Sequence, residues 1–265
     1  MKISIPLFQV DSFTDKPFTG NPAGVCLLPE KMPDAWMRNV AAEMNLSETA
    51  FLVKSGEDYD LRWFTPRVEI DLCGHATLAS AHILWETGIA EPDKVIKFHT
   101  RSGLLSASKH KDWIALDFPA RRYAPAAENE ALIDAVGAIP DEVYQSGDNQ
   151  LFLYHDEKVV RRLTPDFSAL ARFEMHGLIV TAPSATAEFD FVSRFFAPAI
   201  GINEDPVTGS AHCTLAPFWR ERLHKDLLTG HQVSERGGVV KVRVSADRVY
   251  ISGQAVTVFS AQLNG

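Results

Sequence analysis

Arg62-Trp63-Phe64-Thr65-Pro66 and Arg194-Phe195-Phe196-Ala197-Pro198 are two versions of one five-residue element, 132 positions apart (62 and 194). Pro33-Asp34 and Pro165-Asp166 stand at the same offset. Further along, the offset becomes 135 (74 and 209): Gly74-His75-Ala76 matches Gly209-Ser210-Ala211, and Arg101-Ser102-Gly103 matches Arg236-Gly237-Gly238. Asp112, Ile114 and Leu116 likewise match Asp247, Val249 and Ile251. Matches in one order, with a single three-residue insertion between Pro198 and Gly209, indicate a duplicated plan.

The two copies read alike. Each begins with a helix that has proline in its first turn, 33–44 and 165–173, the former carrying Trp36, Val40 and Met44 on one stripe. A strand ending in the Arg-aromatic-Phe element follows, then a glycine-opened helix. Two strands around a turn close each copy, 104–108 with 113–118 and 239–244 with 248–252. The helices opening at Gly74 and Gly209 are apolar almost all round, and a helix without a polar face is surrounded by protein. The expectation is an α+β fold of two pseudo-symmetric domains, each a barrel-like β-sheet around a central helix. Their bounds are 1–118 and 119–265, with a linker at 119–128.

The chain has 265 residues and a formal charge of −8, with 46% apolar and 23% charged residues. That balance is ordinary for a soluble globular protein and argues against nucleic-acid and anionic-membrane partners. It leaves a small anionic substrate open. Pro6 breaks the N-terminal apolar run early, and no run approaches a membrane span, so a cytoplasmic protein is expected. The three cysteines, Cys26, Cys73 and Cys213, are odd in number and form no CxxC pair, which argues against disulfides and a zinc–thiolate site. GxGxxG, Walker, HExxH and GxSxG patterns are absent, and the nine histidines lack paired ligand spacing. Acid–base chemistry without cofactor or metal is what remains.

Two glycine-opened helices supply two N-termini, where free N–H groups and the macrodipole favour an anion. Pseudo-symmetry would turn both towards one cleft, suited to a carboxylate-bearing small molecule. The copies differ at telling places. His75 becomes Ser210, and a loop with Glu69 and Asp71 becomes a longer one with Asn203-Glu204-Asp205-Pro206-Val207-Thr208. Glu48 falls opposite Val180 at the 132 offset and has no acidic counterpart. Each candidate also has a plain structural reading: Glu48 as a solvated strand-edge charge, His75 as a satisfied core histidine, Asp205 as a turn or cap, Ser210 as a first-turn serine. Cys73 and Cys213 read equally as small buried hydrophobes, and His82 and His212 as core.

Phe18-Thr19-Gly20-Asn21-Pro22-Ala23-Gly24-Val25, Ser47-Glu48-Thr49-Ala50-Phe51, Cys73-Gly74-His75-Ala76-Thr77 and Glu204-Asp205-Pro206-Val207-Thr208-Gly209-Ser210-Ala211-His212 together resemble the PhzF family of phenazine-biosynthesis-like isomerases and epimerases. The resemblance implies a diaminopimelate-epimerase-like fold, an active site between the domains, a final strand at about 256–265 crossing back to the first domain, and a homodimer. It implies Glu48 as acid/base residue, with His75, Asp205 and Ser210 beside it. Asn21, Ser47, Gly74, Thr208 and Gly209 then fall on the substrate side. The related diaminopimelate epimerases use two facing cysteines; Cys73 lies where the first would be, but the second position is Thr208. A cofactor-independent isomerase is the expected function. An amino-acid-like epimerase or racemase, and a non-catalytic carboxylate-binding protein, are the alternatives.

Overall fold

Strand β1 (Ser4–Ser12) runs antiparallel to β2 (Asn21–Leu28), with Leu7 opposite Cys26 and Ser12 opposite Asn21. The return between them closes on Gly20 at φ +67, where a Cβ would collide with the Ser12 carbonyl, so only glycine fits. A computed structural model describes residues 4–264 of the chain; residues 1–3 and 265, the outermost positions of the expected domains, lie outside the described residues.

Helix α1 (Asp34–Met44) takes Pro33 as its N-cap, one position before the expected first turn, and ends at Asn45 in the left-handed region, φ 50. Met37, Val40 and Ala41 form its buried stripe, packed with Leu28, Phe51 and Phe64, while Trp36 and Met44 flank it half-buried. Strand β3 (Glu48–Ser55) lies parallel to β2 and antiparallel to β4 (Asp58–Phe64). After the short β5 (Glu69–Ile70) comes α2 (Gly74–Glu86), buried over all but its edge at His82 and Glu86 and packed on β1, β2 and β3. Strand β6 (Ile96–Thr100) lies parallel to β4, and β7 (Gly103–His110) and β8 (Trp113–Pro119) continue antiparallel.

The chain then forms β9 (Ala124–Pro125), α3 (Glu130–Val136), β10 (Glu142–Ser146), β11 (Asn149–Leu153), α4 (Glu157–Arg162) and α5 (Phe167–Leu170). Strands β12 (Gly177–Pro183) and β13 (Phe191–Phe196), a 3-10 turn at Pro198–Ile200, α6 (Gly209–Leu223), β14 (Leu227–Gln232), β15 (Gly238–Ser245), β16 (Arg248–Gly253) and β17 (Ala255–Asn264) complete it. The expected helix at 165–173 is only the single turn α5, capped by Asp166, and the preceding α4, capped by Asp156, takes its place against β12 and β13. The expected linker carries β9, paired to β10. Helix α6 runs past Pro217 to Leu223. Pro217 has no N–H for the Cys213 carbonyl, and the Arg121 N–H donates to that carbonyl instead, at 3.0 Å.

The chain divides into two compact units, Met1–Phe118 with Ser252–Gly265, and Pro119–Ile251. In the first, β17 pairs along the whole of β1, from Ser4 opposite Asn264 to Ser12 opposite Ala255.

Each unit repeats one pairing scheme. Parallel β2/β3 corresponds to parallel β11/β12, antiparallel β3/β4 to β12/β13, parallel β4/β6 to β13/β14, and antiparallel β6/β7 to β14/β15. The register corrects one sequence correspondence. Thr49 stands opposite Phe64, and Leu178 opposite Phe196. The structural counterpart of Glu48 is therefore Gly177, not Val180. The turn after β12 is three residues longer than its equivalent after β3, and a fixed offset cannot see that.

Candidate functional site

In the first unit the start of α2 is fixed from below. Ser12, the last residue of β1, donates its hydroxyl to the His75 carbonyl at 2.8 Å, and Thr77 donates to the Cys73 carbonyl at 2.5 Å. Three side chains converge there: Glu48 from the first position of β3, Cys73 from the N-cap of α2, and His75 from its first turn. Their exposures are 7%, 6% and 5%, which removes the solvated strand-edge reading of Glu48. His75 Nε2 lies 3.2 Å from Glu48 Oε2, and its Nδ1 lies 3.5 Å from Cys73 Sγ and 3.2 Å from Asn21 Nδ2. Glu48 Oε2 is buried and receives no hydrogen bond of good geometry.

Burial alone would depress the His75 pKa. Negative charge on Cys73 and Glu48, with their hydrogen bonds to the ring, outweighs it and holds the imidazole well above its usual range. Burial pushes the Cys73 thiol up.

In the second unit the loop before α6 is held by its own network. Thr208 donates its hydroxyl to Asp205 Oδ2 at 2.5 Å. Gln232 accepts from the Thr208 N–H at 2.8 Å and donates to the Asp205 carbonyl at 2.7 Å, while Ser234 donates to the Pro206 carbonyl at 2.7 Å. Arg194 grips Glu204 with two contacts of 2.7 and 2.9 Å, and Arg62 grips Glu69 in the same way at 2.7 and 2.6 Å. Arg62 and Glu69 are seven positions apart, Arg194 and Glu204 ten. The three extra residues thus lie before Glu204, in the stretch holding the 3-10 turn.

Neither helix start is capped by a side chain: Cys73 makes no cap bond at α2 and Thr208 makes none at α6. First-turn N–H groups of this kind suit an anion. Asn21, Glu48, Gly74 and His75 thus gather in the first unit, and Asp205, Thr208, Gly209 and a half-buried Ser210 in the second. Ser47 stands half-buried beside Glu48, outside the network described. His212 is core: its Nδ1 is 2.8 Å from the Thr208 carbonyl, and burial takes its pKa down to about 4. His82 departs from its core reading. It is half-buried, 3.1 Å from Thr257 Oγ1 and 3.6 Å from Glu86. Sequence reasoning missed Ser12, Thr77 and Gln232, for which nothing in the chain signals a role. The two Arg–Glu grips were within reach, since Glu69 and Glu204 are matched by the 135 offset.

Comparison with known proteins agrees across the chain. Residues 10–261 match the PhzC-PhzF family model, described as phenazine biosynthesis-like protein. The chain is 50% identical to an uncharacterized isomerase of Halalkalibacterium halodurans over 264 residues, 98% of this chain and 99% of that one. It is 48% identical to an uncharacterized isomerase of Pseudomonas aeruginosa over 261 residues, again 98% and 99% of the two chains. It superposes with a TM-score of 0.95 on the crystal structure of a PhzF-family protein from Enterococcus faecalis, 43% identical, with 99% and 100% coverage. The chain belongs to the PhzC/PhzF phenazine biosynthesis-like family and is an isomerase of that family.

Proposed function

We propose that the protein moves a proton on a small carboxylate-bearing substrate by acid–base catalysis without a cofactor, with Glu48 as the proton-transfer group. The observation that carries this is the buried Glu48 Oε2, which has no hydrogen-bond donor of good geometry and lies 3.2 Å from His75 Nε2. A carboxylate held out of bulk water beside an imidazole suits a general base. His75 orients or relays the proton; Asp205 and Ser210 supply the remaining polar contacts. Asn21, Ser47, Gly74, Thr208 and Gly209 line the substrate, with the N–H groups at the helix starts holding negative charge as it develops. The family resemblance further supports a homodimer, which sedimentation analysis would test. The buried free cysteines suit a reducing cytoplasm, and no helix among the described residues is long and apolar enough to cross a membrane.

The test is proton exchange. A panel of small aromatic and aliphatic carboxylates is incubated with the enzyme in deuterated water and followed by NMR. The expected result is deuterium incorporation at carbon in one class, lost by at least ~10²-fold in Glu48→Gln with the fold intact. Full exchange in that variant would overturn the assignment. Incorporation confined to an inverted stereocentre would select the epimerase reading, and tight binding with no exchange the binding-protein reading.

A further inference from the structure

The cluster at the start of α2 carries a second chemistry. We propose that Glu48, Cys73 and His75 form a binding site for a thiophilic divalent cation, Zn²⁺ foremost, and that its occupancy blocks the proton-transfer group. The inhibitory consequence rests on the assignment of Glu48 above; the site itself does not.

One carboxylate oxygen, one sulfur and one imidazole nitrogen from these three residues all lie within 4.8 Å of one another, and all three residues are buried. Zinc bond lengths put the edges of a tetrahedral site at about 3.4 Å between nitrogen and oxygen and about 3.6 Å between sulfur and nitrogen. The corresponding separations here are 3.2 Å for His75 Nε2 to Glu48 Oε2 and 4.0 Å for Cys73 Sγ to His75 Nε2. These two edges need shifts of only a few tenths of an ångström, and the sulfur–oxygen edge, within 4.8 Å, closes as the side chains draw in on the ion, leaving the fourth position for water. The donor set is selective. A thiolate and an imidazole favour Zn²⁺ over Mg²⁺ and Ca²⁺, which take oxygen.

Charge also balances. A thiolate and a carboxylate cancel the dication, so no net charge is buried, and binding releases to solvent both the thiol proton and the Nε2 proton of the imidazolium. With Nε2 on the metal, Nδ1 carries the ring proton and needs an acceptor. Asn21, whose amide lies 3.2 Å from Nδ1, supplies one by presenting its carbonyl oxygen, an orientation its amide reaches by a flip. Sequence spacing hides the site because Glu48 reaches the Cys73-Gly74-His75 segment only through the sheet.

The experiment is a titration of chelator-treated full-length protein with Co²⁺, a spectroscopic stand-in for Zn²⁺. Saturation near one equivalent is expected, with a thiolate-to-cobalt charge-transfer band and the intense visible bands of tetrahedral cobalt, both displaced by Zn²⁺. Cys73→Ser, which keeps Cys26 and Cys213, should lose the charge-transfer band and weaken Zn²⁺ binding by at least about tenfold. Absence of the band in the wild type, or its survival in Cys73→Ser, overturns the site. X-ray absorption at the zinc edge of the wild type needs no variant: one sulfur at about 2.3 Å with nitrogen and oxygen at about 2.0–2.2 Å supports it, and a shell without sulfur overturns it. If the spectra support the site but the Zn²⁺-loaded enzyme keeps full turnover, the Glu48 assignment fails and the metal site stands.

Discussion

Glu48 and Gly177 occupy one position in the two pleated frames, and their surroundings explain why only one is a carboxylate. A Cβ on Gly177 would fall inside the Phe195 ring, so the second unit has closed the space that the first keeps for a side chain. Gly177→Ala should therefore destabilise the protein by about 1–3 kcal/mol, read from urea denaturation, unless Phe195 is shortened as well. His212 gives a second residue-scale prediction. Its pKa falls from the usual 6.5 to about 4, so its neutral form contributes stability that is complete above pH 6.5. That contribution, about 3 kcal/mol, is lost as pH drops from 6.5 through 4. His212→Gln should flatten this acid limb when unfolding is compared at pH 7 and 4.5. At this scale the sequence exposed Glu48 as an asymmetry between the copies. It named the wrong counterpart, because turn lengths do not show in an offset.

Among elements, the two glycine-opened helices were legible from their unbroken apolar composition. The true length of α6 was not, since Pro217 reads as a stop and only the Arg121 N–H donated to the Cys213 carbonyl makes it tolerable. The same limit hid the loop before α6, whose shape depends on Gln232 from a strand far along the chain. Arg194 anchors that loop through Glu204 and also donates to the carbonyls of Val160 and Leu163 at 3.1 and 2.8 Å. Its guanidinium is largely buried, so Arg194→Met should cost about 3–5 kcal/mol by stranding Glu204. Arg194→Lys should not rescue it, because an ammonium cannot make the two-point contact. Thermal unfolding of the two variants checks both statements.

For the whole molecule, duplication was readable from matched residues, and the paired registers of both units repeat it. The composition of the first unit from two distant stretches was less readable, since nothing local in 252–265 marks its partner. Strand β17 pairs with β1 over the full length of that strand. Ending the chain at Ile251 should therefore unprotect the β1 amides in hydrogen exchange while leaving protection in β12 and β13. Equal loss in both units would contradict a division in which Ser252–Gly265 groups with the first unit.

The same closure has a consequence during synthesis. Strand β1 is made before the second unit, yet it lacks its β17 neighbour until residues 255–264 are made. At ordinary elongation rates that wait is roughly 10–50 seconds. Throughout it, one long edge of a largely apolar strand is open as a template for pairing with other chains. The second unit, Pro119–Ile251, has all of its own residues translated earlier. The unit that carries Glu48 is thus completed after the other, and the nascent chain needs protection at β1 throughout that interval.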